Sequence, residues 1–216
     1  MMIPMLPFTA SRLQQLLDGL AANGFVIISD FLAQEKVALL AAEAMTLLEN
    51  GAMRQARTGR GNRAISDDSV RGDFIRWIDE TDEVVLTNPA LREYFAGMEA
   101  LRENFNRSLY LGLVEIESHF TIYPPGAFYR KHLDRFRGSE QRQVSSILYL
   151  NQGWSPEHGG QLRLYLDEAN DATYLDIEPA GGTLVLFLSG RFWHEVLPAT
   201  RQRMSLTGWF RTRPDA

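Results

Sequence analysis

Hydrophobic positions along this chain follow two rhythms, and the change falls near its midpoint. In the first half apolar residues recur every three or four positions: Leu13, Leu16, Leu17 and Leu20 within Thr9–Ala22, then an Ala- and Leu-rich run from Ala33 to Leu48. That period lays one apolar stripe along a helix, with Thr9 or Ser11 as a cap at the start and Asn50-Gly51 as a stop. Between the two helices Gly24-Phe-Val-Ile-Ile-Ser29 reads as a short buried strand, and a third helix is predicted from Asn88-Pro89 to about Leu109.

In the second half the period shortens to two. Strands are predicted at Glu115–Tyr123, Gln143–Leu150, Gln161–Leu166, Tyr174–Ile177, Thr183–Leu188 and Arg203–Phe210. Turn residues such as Pro124-Pro-Gly126, Gly159-Gly160 and Pro179-Ala-Gly-Gly182 separate them. Short strands at regular intervals point to a double-sheet jelly roll of the cupin-like kind. The expected organisation is one mostly β domain, residues 1–216, with a helical buttress over 1–110 and a jelly-roll core over 111–213. A polar, Gly-containing stretch interrupts the helices and predicts a mobile finger over about 51–76.

Composition narrows the chemistry. The chain has no cysteine, which excludes thiolate catalysis and Cys-ligated metal centres, so any protein-bound metal must use His, carboxylate or backbone oxygen. A net charge of −5 argues against broad binding of DNA, although Arg54, Arg57, Arg60 and Arg63 form a local basic run. The N-terminus lacks the pattern of a signal peptide, and no apolar run approaches the roughly 20 residues of a membrane span. A cytoplasmic enzyme or binding protein with no membrane partner is expected.

Candidate chemistry centres on Tyr129-Arg-Lys-His-Leu-Asp-Arg135 and on Phe192-Trp-His-Glu-Val196. Two imidazoles and one carboxylate, His132, Asp134 and His194, are the ligand set of the facial triad that holds non-haem Fe(II) with positions open for substrate and oxygen. In an extended strand, residues two apart share a side, so His132 and Asp134 can project together. Nine residues beyond His194 lies Arg203. The same period places Arg203, Ser205, Thr207 and Trp209 on one face, opposite Met204, Leu206 and Phe210. A buried arginine is costly without an anion. Arg203 is therefore expected to meet a carboxylate, that of a dicarboxylic oxo acid or of a protein side chain, with Thr207 or a tyrosine hydroxyl adding a hydrogen bond. His119 and His158 have no ligand-like neighbours and are read as structural.

Taken together, Arg71-Gly-Asp-Phe-Ile-Arg-Trp-Ile78, Tyr123-Pro, Tyr129-x-x-His-x-Asp134, Tyr149-Leu-Asn151, Gly159-Gly160-x-Leu-Arg163, Asp176-Ile-Glu-Pro179, His194-Glu-Val196 and Arg203 through Trp209 resemble the Fe(II)/2-oxoglutarate-dependent prolyl hydroxylases related to the hypoxia-inducible-factor enzymes. The compact size is similar to the bacterial branch. The resemblance implies iron on His132, Asp134 and His194. It implies the C5 carboxylate of 2-oxoglutarate on Arg203 and Tyr149, with Tyr123 near the cofactor. Arg71 and Asp73 match a motif at the substrate, beside Tyr129. The implied reaction consumes O2 and 2-oxoglutarate, releases succinate and CO2, and hydroxylates a prolyl residue of a protein, with elongation factor Tu as a candidate partner and ascorbate as a stimulant. Two alternatives stand beside it: an oxygenase of the same superfamily acting on a small molecule or nucleobase, and a non-catalytic cupin-like metal-binding module.

Overall fold

In a computed structural model, residues 9–57, 67, 69–135 and 141–213 are described. Helix α1 (Ala10–Asn23) starts where the Thr9 side chain accepts from the Arg12 amide, and stops at Gly24, whose φ of 79° is the left-handed conformation glycine adopts without steric cost. The chain then enters β1 (Phe25–Ile28) and α2 (Gln34–Glu49). Two strands follow, β2 (Arg54–Gln55) and β3 (Phe74–Ile78), then a short helix α3 (Glu83–Thr87). Helix α4 (Pro89–Leu109) has proline in its first turn, and the Asn88 side chain accepts from the Ala90 and Leu91 amides. The remainder is β4 (Glu115–Tyr123), β5 (Tyr129–His132), β6 (Arg142–Tyr149), β7 (Leu162–Tyr165), β8 (Tyr174–Ile177), β9 (Leu184–Leu188), β10 (His194–Val196) and β11 (Arg203–Arg211).

These strands form two antiparallel sheets, a major one in the order β1-β9-β6-β11-β4-β3-β2 and a minor one in the order β5-β10-β7-β8. The jelly roll expected from the strand spacing is the fold observed. Leu206 and Phe210 of β11, Phe120 and Ile122 of β4, and Val144 and Leu148 of β6 face the helices and pack with Leu91, Met98, Leu101 and Phe105 of α4. Phe105 meets Phe210 edge-on at 5.4 Å. Each such fully buried Leu or Phe contributes about 1.5–3 kcal/mol. A second apolar cluster lies between the sheets, from Ile147, Val185 and Phe187 on one side and Leu162, Leu164 and Val196 on the other.

The N-terminal part is more than a helical buttress. β1 pairs with β9 along four residues, and β3 pairs with β4 from Phe74↔Ile122 to Ile78↔Ser118, so both extend the major sheet. The expected finger over 51–76 therefore contains β2 and the start of β3. Its centre, residues 58–66 and 68, including Arg60 and Arg63, lies outside the described residues.

Candidate active site

β5 and β10 pair so that His132 is directly opposite His194. Each ring's Nδ1 lies against a backbone carbonyl two residues earlier, Arg130 O at 2.7 Å for His132 and Phe192 O at 3.1 Å for His194. Donation from Nδ1 fixes the tautomer and leaves the Nε2 lone pair free for a metal. Asp134 completes the group, its carboxylate oxygens 3.7 Å and 3.5 Å from the Nε2 atoms of His132 and His194. All three residues offer a ligand atom within 4.8 Å of one another. His132 and Asp134 do not share a strand as expected: β5 ends at His132, and Asp134 sits in the bend beyond it. Its direction is set from the major sheet, where Ser145 Oγ donates to Oδ2 at 2.7 Å and meets Ser189 Oγ at 2.8 Å.

Burial and the neighbouring His194 hold His132 well below the usual imidazole range, so it is a neutral ligand at working pH. Burial alone would push the Asp134 carboxyl up, but the two imidazoles and Ser145 outweigh it and keep it ionised. Two imidazole nitrogens and an ionised carboxylate suit a hard-to-borderline divalent metal such as Fe(II).

The triad opens on a cavity of about 790 Å³ between the sheets. Arg203 lies in its wall, 2% exposed, with Nε donating to Gly160 O at 2.8 Å. A side chain at Gly160 would crowd both Ala199 and the Arg203 stem, so glycine lets this carbonyl come close. The guanidinium lies 5.2 Å from the Tyr123 ring centroid and 5.0 Å from that of Tyr149. Among the described residues Arg203 pairs with no acidic side chain, and its Nη2 and the Tyr149 hydroxyl are both buried without a hydrogen-bond partner. Burial pushes the Tyr149 phenol up, against the pull of the Arg203 cation, so it stays a neutral donor. One cation and one hydroxyl left unbonded in a dry wall fit a carboxylate. Thr207 shares the Arg203 face as predicted, tied to Ser205 at 3.2 Å and Thr121 at 3.4 Å.

Arg71, Asp73 and Tyr129 form a second unit. Arg71 grips Asp73 with two bonds, Nε–Oδ1 at 2.7 Å and Nη2–Oδ2 at 2.6 Å. Its guanidinium lies 4.2 Å above Tyr129, which stacks on His132 with centroids 3.7 Å apart. Burial lowers the Arg71 pKa, but the bonds to Asp73 more than reverse it. Asp73 is fully buried, so it is not a direct substrate contact; it orients Arg71, which lines the cavity with Tyr129.

Two residues of the site, Ser145 behind Asp134 and His119 in the cavity wall, were not picked out from the sequence. Ser145 shares a period-two row with Tyr149 on β6, and His119 shares one with Thr121 and Tyr123 on β4; that periodicity could have found both. His119 is a cavity-wall residue, contrary to the structural role assigned to it. His158 does have such a role: its Nδ1 accepts from the Ser155 amide at 3.0 Å in a short turn.

Residues 118–211 match the profile of the 2OG-Fe(II) oxygenase superfamily. A Pseudomonas putida prolyl-4-hydroxylase structure is 45% identical, with a TM-score of 0.81 over 94% of this chain and 100% of that one. A Trichoplax adhaerens prolyl hydroxylase, solved with a hypoxia inducible factor oxygen degradation domain peptide fragment, is 28% identical at a TM-score of 0.80, covering 93% of this chain and 89% of that one. Human Egl nine homolog 1 is 29% identical over 95% of this chain, which spans 48% of that protein's length; for the Caenorhabditis elegans hypoxia-inducible factor prolyl hydroxylase, at 27% identity over 91% of this chain, the span is 28%. With the triad, the cavity and the jelly roll in place, the chain belongs to the 2OG-Fe(II) oxygenases, in the family of the prolyl hydroxylases.

Proposed function

We propose that this protein is an Fe(II)- and 2-oxoglutarate-dependent prolyl 4-hydroxylase acting on a protein substrate in the cytoplasm, with elongation factor Tu as the candidate and ascorbate as a stimulant. The observation that carries the reading is one cavity lined by both the triad and Arg203, with the Arg203 Nη2 and the hydroxyl of the adjacent, fully buried Tyr149 left without partners.

In this reading His132, Asp134 and His194 hold the iron and leave its remaining positions open. When bound, iron and its oxo-acid co-substrate supply the oxidising chemistry, in which O2 converts 2-oxoglutarate to succinate and CO2 and one oxygen atom enters a prolyl C–H bond. The chain supplies position. Arg203 and Tyr149 hold the C5 carboxylate, Tyr123 packs beside the guanidinium, and Thr207 borders the same row. Arg71 and Tyr129 form the wall next to the triad where a peptide would lie, and the buried Asp73 keeps that wall rigid. A non-catalytic metal binder would leave the two unbonded polar groups without purpose, at about 1–3 kcal/mol each.

The test is mass spectrometry of proteins from cells with and without this chain, together with the purified enzyme, Fe(II), 2-oxoglutarate and elongation factor Tu. One oxygen atom added to a proline, matched by succinate, is expected. Succinate released with a small molecule or nucleobase and never with a protein would overturn the prolyl assignment. An unmodified elongation factor Tu beside another hydroxylated protein would overturn only the named substrate.

A further inference from the structure

Asn151, two residues past the end of β6, is buried and does not line the cavity. Nothing in the proposed chemistry uses its side chain, although it closes the Tyr149-Leu-Asn151 motif. Its Oδ1 accepts from the Met204 amide at 2.6 Å, and its Nδ2 donates to Pro179 O at 2.7 Å. Its main-chain oxygen accepts from the Gly181 amide at 2.7 Å. A Cβ on Gly181 would sit 2.6 Å from that oxygen, so glycine lets the turn at 179–182 close on Asn151.

The ladder between β6 and β11 runs out at this point. Its last pair is Ser205↔Tyr149, and Arg203 lies two residues beyond it, at the start of β11. The Leu150 amide still donates to Met204 O at 3.1 Å. In a regular antiparallel rung the Met204 amide would return a bond to Leu150 O. It donates to the Asn151 side chain instead, so that side chain completes the rung immediately beside Arg203. The other end of the side chain reaches the turn at 179–182, and this turn brackets Tyr149. There the Gly182 amide donates to Tyr149 O at 2.9 Å, and the Tyr149 amide donates to Thr183 O at 3.0 Å. One side-chain amide thus joins the main chain that carries Arg203 to the main chain that fixes Tyr149.

We propose that Asn151 is a positioning residue for the oxo-acid seat, holding Arg203 and Tyr149 at the spacing one carboxylate needs without touching it. The inference rests on the roles given above to Arg203 and Tyr149. The Arg203 guanidinium lies 5.0 Å from the Tyr149 ring centroid, and the Nη2 and the hydroxyl are the two groups left unbonded. Two donors serve one carboxylate well only when their separation is set before it arrives. On the β4 side the start of β11 is held by the pair Arg203↔Tyr123. On the β6 side it is held by Leu150 and Asn151. Gly160 O fixes the Nε of the guanidinium, so the remaining freedom is that of the main chain beneath it. An amide suits this place because it offers an acceptor to one backbone N–H and a donor to one backbone carbonyl at once.

The test compares two oxo acids by calorimetry on the full chain loaded with Zn(II). One is 2-oxoglutarate. The other is 2-oxopentanoate, which keeps the chelating carboxylate and ketone and carries a methyl group in place of the C5 carboxylate. Wild type should bind 2-oxoglutarate more tightly. Asn151→Ala should weaken 2-oxoglutarate about 5- to 30-fold, the loss of one or two hydrogen bonds at the seat, while 2-oxopentanoate binds as before. Asn151→Asp, close in shape, keeps an acceptor for the Met204 amide and loses the donor to Pro179 O, so a smaller loss in the same direction is expected. Gln34→Ala removes a 2.8 Å bond to Gly181 O on the exposed side of the same turn and should leave both affinities at wild-type values. Equal losses for the two oxo acids in the Asn151 variants, or no loss for either, make Asn151 a support of the fold alone and overturn the inference. A matching loss in Gln34→Ala would assign the effect to the turn as a whole and overturn it too. If wild type itself does not distinguish the two acids, Arg203 and Tyr149 are not the carboxylate seat, and the cofactor reading fails with the inference.

Discussion

Tyr129 lies flat against His132, with ring centroids 3.7 Å apart and planes 18° from parallel. His132 is the most open ligand of the triad, so this stack, with Arg71 above it, adds to the Arg130 carbonyl in holding its ring plane. Tyr129→Ala should weaken metal binding by on the order of 10-fold, the cost of an untethered ligand. Tyr129→Phe should bind as the parent does, because the ring and not the hydroxyl makes the contact. Titration of Fe(II) under nitrogen measures both, and an unchanged affinity in the alanine variant would mean the stack orients nothing.

Ser145 donates to Asp134 from the opposite sheet. Ser145→Ala removes a charge-assisted bond from a carboxylate that lies beyond the end of its own strand. We expect roughly 10-fold weaker metal affinity with little change in 2-oxoglutarate affinity once metal saturates. Ser189→Ala, whose lost hydroxyl meets Ser145 and not Asp134 among the described residues, should have the smaller effect. A reversed order would show that Ser189 is the principal support.

Arg203→Ala should raise the 2-oxoglutarate requirement about 10- to 100-fold, the range for a hydrogen bond to a charged group, with metal affinity nearly constant. Arg203→Lys should recover only part of it, because an ammonium cannot reproduce the guanidinium's planar set of donors. Uncoupled succinate formation against 2-oxoglutarate concentration reports this directly. Equal losses in metal and oxo-acid affinity would make Arg203 a packing residue.

Stability should carry a signature of His119. Its folded pKa of about 4 is depressed from the ordinary 6.5, mainly by burial. Above pH 6.5 neither state binds the proton and the full stability is present. As pH falls from 6.5 toward 4, the unfolded chain takes up a proton that the native state refuses, and stability declines by an amount on the order of 3 kcal/mol. Urea unfolding of wild type and His119→Gln across this range should show a shallower decline in the variant. Parallel curves would place the proton uptake elsewhere.

What the sequence made legible was whatever depends on local period. The face shared by Arg203, Ser205, Thr207 and Trp209 is alternation along one strand, and it looks into the cavity as that alternation requires. β3 was not legible, because Arg76 breaks the apolar run of Phe74–Ile78 and its partner β4 lies some 40 residues away. Asp73 offered no hint of its complete burial, since a carboxylate goes inside only with a partner such as Arg71, and pairing is a tertiary fact. The support Ser145 gives Asp134 was hidden for the same reason.

The two sheets are unequal, and under the proposed function each serves a different reagent. Both imidazoles of the triad hang from the four-stranded sheet, while Arg203, Tyr123 and Tyr149 stand on the seven-stranded one. The Ser145–Asp134 bond ties the carboxylate ligand across the gap. Damage to the protein should therefore come in two kinds. Loosening the small sheet yields a form that still captures the diacid but loses its iron, whereas loosening the large one yields a metal-loaded form starved of co-substrate.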